Sequence, residues 1–352
     1  MNSYTKLCQF FCTFAAIKEI YMKKNIALLL GGDSAEAVIS EQSASQVLQH
    51  LDVALYEVYP ITIKGTSWTY TCNDTTIDVD KSDFSVTVAG RRIHFDCAVP
   101  VIHGTPGEDG RLQAYFELMH VPYTTCGVLA SSLTFNKHAC KTYLNSLGIL
   151  FPKGKLIRKG EKVDATELCA ILGLPCFIKP NNGGSSFGVT KIKSSNELAP
   201  ALEAAFAEDA YEVLVEEFIE GTEITCGLVK LDGQVIVFPI TEIVSKKEFF
   251  DVEAKYEAGM SDEITPARIS ESLCADCETL SIAIYKYLDC RGIVRIDYII
   301  RDGRLYFLEV NTVPGMSAAS IIPKQVNVMG LLSIKDLYTN LIDEAIERVG
   351  ER

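Results

Sequence analysis

From Lys23 onward, short apolar runs alternate with amphipathic stretches at helical spacing. Asn25–Leu30 reads as a buried strand, Gly31-Gly32 as a turn, and the residues through His50 as a helix. Strand, glycine turn and helix open an α/β unit. Leu55–Ile63 and Phe95–Ile102 read as further strands around a polar, β-prone stretch, followed by a helix at Leu112–Met119. Pro122–Cys126 marks a candidate domain boundary. Helices are expected at Val128–Phe135, Lys137–Leu147, Ala165–Leu172 and Leu198–Phe206, and strands at Leu156–Ile157, Cys176–Lys179, Val189–Ile192, Glu212–Ile219, Glu223–Val229 and Val235–Val244. Ser245–Ile269 is polar and irregular but carries Phe249, Phe250, Lys255 and Tyr256, which suits a lid over a site. A helix at Glu271–Leu288, strands at Ile293–Ile300 and Leu305–Val310 around Asp302-Gly303, and a helix at Ile334–Arg348 complete the pattern.

Polar residues interrupt the last two strands at telling positions. Strand side chains alternate faces. Arg295 and Asp297 therefore share one face, as do Glu309 and Asn311. If the faces coincide, two carboxylates and an amide oxygen converge, an all-oxygen set suited to Mg²⁺ with substrate phosphates. The alternative is a sheet with charges facing water. A plain two-residue turn at Asp302-Gly303 would send Asp297 and Glu309 to opposite faces. The shared site therefore requires a three-residue connection or a β-bulge.

Two loops add candidate chemistry. His103-Gly-Thr-Pro-Gly-Glu-Asp-Gly110 ends a strand and precedes a helix, where open α/β sheets bind ligands. Lys179-Pro-Asn-Asn-Gly-Gly-Ser-Ser-Phe-Gly188 lies between two apolar strands, so its tip offers backbone N–H groups to a phosphate, with Lys179 beside it. Neither a G-x-G-x-x-G nor a Walker pattern is present.

The 352 residues suffice for two or three domains, and 33 basic against 46 acidic residues (net −13) argue against a nucleic-acid or anionic-membrane binder. Twelve scattered cysteines point to free thiols in a reducing cytosol, and the lone Cys274-x-x-Cys277 lacks the second pair of a zinc site. No apolar run reaches the ~18 residues of a membrane span. Residues 1–21 read as an N-terminal extension before the more ordinary start at Met22.

In chain order, LLLGGDSAE (28–36), HGTPGEDG (103–110), FIKPNNGGSSFG (177–188), VEEFIEGTE (215–223), EAKY (253–256), RID (295–297) and EVNTVPGM (309–316) together resemble the D-alanine–D-alanine ligase family of the ATP-grasp superfamily. The resemblance runs from about Lys23 to the C-terminus. It implies a three-domain ATP-grasp fold, α/β and α+β: an N-terminal open α/β domain (22–125), a central α+β domain (126–219) and a C-terminal domain (220–352) with a lid near 245–269. It implies ATP-driven phosphorylation of one D-alanine carboxylate, then attack by the amine of a second. Asp297, Glu309 and Asn311 would hold two Mg²⁺ or Mn²⁺. Lys137, Lys179, Ser186 and, with the lid closed, Lys255 would meet phosphates. Glu216, Glu217, Phe218, Ile219 and Glu223 would hold adenine and ribose. Arg295 and the Gly315 N–H would stabilise the oxyanion. Glu36 and His103 would serve the first D-alanine, and Ser320 the carboxylate of the second. Glu36, Ser185 and Tyr256 would form a hydrogen-bonded group. A cytoplasmic homodimer joined through the N-terminal half is implied.

Departures are Ala37-Val-Ile-Ser40 after Glu36, Asn136 before Lys137, and a lid of its own composition beyond Tyr256. D-alanyl-D-lactate or D-alanyl-D-serine as product, another carboxylate–amine ligase, and a non-catalytic nucleotide-binding module remain as alternatives.

Overall fold

The structure, a computed structural model, describes residues 23–34, 36–184, 188–208, 211–245 and 261–350. The N-terminal extension, the glycine-loop tip with Ser185 and Ser186, and the lid positions Lys255 and Tyr256 lie outside the described residues.

The first sheet is built on Lys24–Gly31, whose apolar run pairs in parallel with Tyr56–Lys64 on one side and Cys97–Pro100 on the other. Its interior residues Ile26–Leu29 are fully buried, as expected of a parallel strand covered on both faces. The β-prone stretch after Lys64 supplies Ser67–Cys72 and Thr75–Asp78, which extend this sheet antiparallel, and the separate hairpin Ser85–Val88 with Arg91–His94. Tyr59, Phe84, Phe95 and Phe116 pack by edge and tilted contacts beneath it.

A four-stranded antiparallel sheet follows, ordered Thr190–Ile192, Cys176–Pro180, Glu212–Glu217 and Gly154–Arg158. The chain leaves it at Glu217 and enters the last sheet at Thr222. That sheet runs Ser261–Ile264, Thr241–Ser245, Thr222–Leu231, Ile293–Arg301 and Arg304–Asn311, with Gln234–Val237 also paired to Thr222–Leu231.

Three expectations are corrected here. Val235–Val244 is two strands, Gln234–Val237 and Thr241–Ser245, broken around Pro239, which has no N–H for a ladder. Ser261–Ile264, expected in an irregular lid, is a strand paired with Thr241–Ser245. Ile321–Met329 is a helix that the sequence reading passed over; its Pro323 lies in the first turn, where the missing N–H costs nothing.

The terminal helix Ile334–Gly350 ties the two ends of the chain together. Leu337, Leu341, Ile342 and Ala345 share one core with Ile26, Leu28 and Val99 of the first sheet and Val229 of the last. Lys24 Nζ donates to Asp343 at 2.8 Å, and Arg348 Nη2 donates to the Tyr123 carbonyl at 2.7 Å.

The helix Ile321–Met329 sits against the last sheet because Gly227 leaves space for it. A Cβ at Gly227 would lie 2.3 Å from Gln325 Oε1 and 2.7 Å from Ile322 Cδ1. Gln325 Nε2 uses that approach to reach the Thr225 carbonyl and Thr241 Oγ1. Gly227→Ala is therefore expected to lower stability by about 1–3 kcal/mol through overpacking. Urea unfolding measures this, and an unchanged midpoint would contradict the close seating of the helix.

Candidate active site

The last two sheets face each other across a cavity of about 460 Å³, within the range of small-molecule sites. Phe218–Gly221, the link between the sheets, forms one edge. Gly183 and Gly184 of the glycine loop form another, and Arg295, Asp297 and Glu309 line the floor.

The floor depends on one irregularity. Asp302 and Gly303 have φ of 52° and 69°, so the hairpin closes with the two-residue left-handed turn that favours Asp-Gly. Arg301 pairs with Arg304, and regular pairing continues to Tyr298 with Phe307. There the register shifts: Asp297 faces Glu309 and Arg295 faces Asn311, with Leu308 the extra residue. The bulge that the sequence required is present, and the four polar side chains fall into two facing pairs on neighbouring strands.

Each floor carboxylate has a cationic partner. Arg295 Nε and Nη2 donate to both oxygens of Asp297 at 3.0 and 2.9 Å, and Thr225 Oγ1 donates to Oδ1. Asn311 Nδ2 approaches Asp297 at 3.5 Å. Lys137 Nζ lies 3.1 Å from Glu309 Oε2 and donates to the Gly183 carbonyl at 2.6 Å. Burial opposes the Lys137 charge, but Glu309, helped by Glu216 and Glu108, outweighs it and raises the ammonium pKa above its ordinary value. Among the described residues no group of three or more His, Cys, Asp or Glu forms a metal cage. Two carboxylates and an amide oxygen are a smaller donor set, of the kind Mg²⁺ completes with phosphate oxygens.

Lys137 and Lys141 lie on one face of the helix Lys137–Leu144, one turn apart. Asn136 caps this helix, its side chain accepting from Ala139 N–H at 2.9 Å, so the departure from Asp preserves the cap. Lys141 Nζ bonds Glu216 Oε1, and Lys179 Nζ bonds Glu216 Oε2. Glu216 is 3% exposed. Burial raises its pKa, but the two ammonium groups prevail and hold it below the usual range. Burial, with Lys179 nearby, pushes Lys141 down to about 8.

Residues around the first sheet line an adjoining cleft. Glu36 is buried, and a Cβ on Gly184 would come within 3.0 Å of its Oε2, so the glycine loop passes directly over this carboxylate. His103 Nε2 lies 3.4 Å from Ser43 Oγ, which accepts from the Met316 N–H. Burial holds His103 below its ordinary pKa, with Arg295 adding to the effect against Glu36 and the Val313 backbone. Glu108 accepts the Gly104 N–H at 2.7 Å and the Val313 N–H at 3.2 Å, tying the loop His103–Gly110 to the segment after Asn311. Gly315 lies against Ser320; a Cβ there would be 2.8 Å from Ser320 Oγ.

The cavity thus gathers Lys137, Lys179, Glu216, Glu217, Phe218, Ile219, Glu223, Arg295, Asp297 and Glu309. Glu36 opens instead onto an adjoining cleft that shares Gly183 and Gly184. Sequence reading missed Lys141 and Thr225. Lys141 was discoverable, because the i,i+4 spacing from Lys137 puts both on one helix face. Thr225 required the sheet register.

Two sheets enclosing a cleft, with lysines and acidic residues directed into it beside a glycine loop, define an ATP-grasp fold. Family models described as D-ala D-ala ligase N-terminus and C-terminus match residues 25–126 and 144–343. The chain is 48% identical over 324 residues to a D-alanine–D-alanine ligase of Bacteroides fragilis, covering 92% of this chain and 99% of that one. It is 46% identical over 321 residues to the ligase of that name from Flavobacterium johnsoniae, covering 91% and 98%. Among solved structures, a VanG D-Ala:D-Ser ligase from Enterococcus faecalis aligns with TM-score 0.80 at 33% identity, covering 92% of this chain and 99% of that one. A D-alanine–D-alanine ligase from Bacillus anthracis complexed with ATP aligns with TM-score 0.75 at 31% identity, covering 94% and 99%. The chain belongs to the D-alanine–D-alanine ligase family.

Burial, reinforced by Glu36, pushes the Glu108 carboxyl from 4.5 up to about 8. The folded state then holds a proton that the unfolded chain releases, so stability falls as pH rises from about 4.5 to about 8 and levels off above. Melting temperatures across that window should decline less steeply in Glu108→Gln than in the unaltered protein. Equal slopes would contradict the assignment.

Proposed function

We propose that this chain joins two D-alanine molecules into D-alanyl-D-alanine with ATP hydrolysed to ADP, supplying a peptidoglycan precursor. The observation that carries this reading is the bulged hairpin, which sets Asp297, Glu309 and Arg295 together on the cavity floor. Family membership gives that floor its reaction. The proposed division is three domains, 22–125, 126–219 and 220–352, with the nucleotide between the last two.

In this reading Phe218 and Ile219 pack the adenine, Glu216 and Glu223 take its polar edge and the ribose, and Lys137 and Lys179 receive the phosphates. Lys179 would exchange Glu216 for phosphate oxygen. Asp297, Glu309 and Asn311 would hold Mg²⁺ or Mn²⁺, whose charge neutralises the phosphates as the γ-phosphoryl group transfers. The all-oxygen donor set fits such hard cations. Glu36 and the neutral His103 hold the first D-alanine through its ammonium group. Its carboxylate attacks the γ-phosphorus, and ADP departs. The amine of the second D-alanine then attacks the acyl phosphate, and phosphate leaves. Arg295 and the Gly315 N–H face the negative charge that builds on the carbonyl oxygen. Ser320, at the N-terminus of the helix Ile321–Met329, suits the carboxylate of the second D-alanine. Ser185, Ser186, Lys255 and Tyr256 complete the set as glycine-loop and lid residues.

The ten described cysteines are free thiols, in accord with a reducing cytosol. Among the described residues, no helix is long and apolar enough to cross a membrane. A homodimer joined through the N-terminal half belongs to this reading as an expectation from family membership.

Coupled ADP release with D-alanine, D-serine and D-lactate at neutral pH tests the assignment. D-alanine alone should sustain turnover, with D-alanyl-D-alanine as the main product. Dominant D-alanyl-D-serine would favour the activity named for the VanG neighbour instead. Glu309→Gln should cut kcat by about a hundredfold or more while leaving thermal unfolding near normal, because it removes charge that balances the metal. Near-normal turnover would overturn the metal assignment.

A further inference from the structure

Lys141 stands behind the cavity wall, and the reaction just described gives it no part. It projects from the same helix as Lys137, one turn on, and is 9% exposed. Its partner Glu216 is the most buried acidic group at the cavity, with one oxygen bonded by Lys141 and the other by Lys179. One carboxylate is thus bonded by two lysines from different elements. Lys179 belongs to a strand at the cavity surface, whereas Lys141 belongs to a helix beneath it.

The two lysines are not equivalent when nucleotide arrives. Lys179 turns to the phosphates and its bond to Glu216 is lost. A carboxylate this buried, left without a cation, is strongly disfavoured as an anion and takes up a proton. Lys141 is buried, is bonded to Glu216 and does not line the cavity, so it stays on the carboxylate when Lys179 turns away. We infer that Lys141 is a positioning residue that keeps Glu216 ionised and fixed while Lys179 moves to phosphate, and thereby selects a 6-amino purine. An ionised Glu216 accepts a hydrogen bond from an exocyclic amine and repels a 6-oxo group. A protonated one would donate to the 6-oxo group and lose that discrimination. The helix Lys137–Leu144 then serves both sheets, with Lys137 at Glu309 on the floor and Lys141 at Glu216 on the opposite wall.

This inference rests on the proposed nucleotide site, so unaltered enzyme must first release ADP with ATP and D-alanine. Failure there defeats the proposed function, whatever the variants do. With that established, KM and kcat for ATP and for inosine triphosphate are measured in Lys141→Met, Glu216→Gln and the double variant, alongside melting temperatures. Lys141→Met should raise KM for ATP about tenfold or more, the range expected for a hydrogen bond to a charged group, and change kcat about threefold at most. The preference for ATP over inosine triphosphate should fall about tenfold. In the Glu216→Gln background, Lys141→Met should alter KM for ATP by about twofold or less, since the carboxylate it serves is gone. Independent, multiplying effects of the two substitutions would overturn the inference. So would an unchanged nucleotide preference, or equal losses for both nucleotides that follow the melting temperature.

Discussion

The cleft is organised around the pairing of Asp297 with Glu309. A hairpin closed by Asp302-Gly303 brings the right strands together but in the wrong phase, and only the extra Leu308 returns Glu309 to the face of Asp297. Everything on the floor inherits that phase. Arg295 falls opposite Asn311, Thr225 reaches Asp297 from the next strand, and Lys137 meets Glu309 from the helix above. Like charges on neighbouring strands repel. Two cations, one on the floor and one on a separate helix, make the pair tolerable before any ligand arrives.

Much of this was legible in the sequence, and for identifiable reasons. Strand periodicity placed Arg295 with Asp297 and Glu309 with Asn311, and the count across the turn demanded an irregularity. Asp302-Gly303 itself favours the short turn, so the irregularity fell to a bulge farther along the strand. The helices Ala165–Leu172 and Val128–Phe135 lie where the pattern put them. The strand over Val235–Val244 was over-read because its apolar character conceals the geometric effect of Pro239. The pairing of Ser261–Ile264 was invisible because an edge strand needs no apolar run when its partner provides the ladder. Lys141 was overlooked because a lysine in an amphipathic helix normally faces water, although its i,i+4 spacing from Lys137 put the two on one helix face.

The loop His103–Gly110 shows how the first sheet takes part without reaching the floor itself. Glu108 accepts from Val313, and Ser43 joins His103 to Met316, so the segment that follows Asn311 is held from the far side of the molecule. The segment after Asn311 is therefore shaped by contacts between residues some two hundred positions apart in the chain. No local reading could supply that geometry.

The terminal helix has a consequence for the order in which the protein is made. Ile334–Gly350 covers apolar residues of Lys24–Gly31, the first of the described strands to leave the ribosome, and does so together with residues from the last sheet. Until that helix emerges, one face of the N-terminal sheet lacks part of its cover, however well its hydrogen bonds have formed. Nascent chains at that stage present apolar surface to chaperones or to one another, and a stop codon only a few turns early would leave it permanently bare.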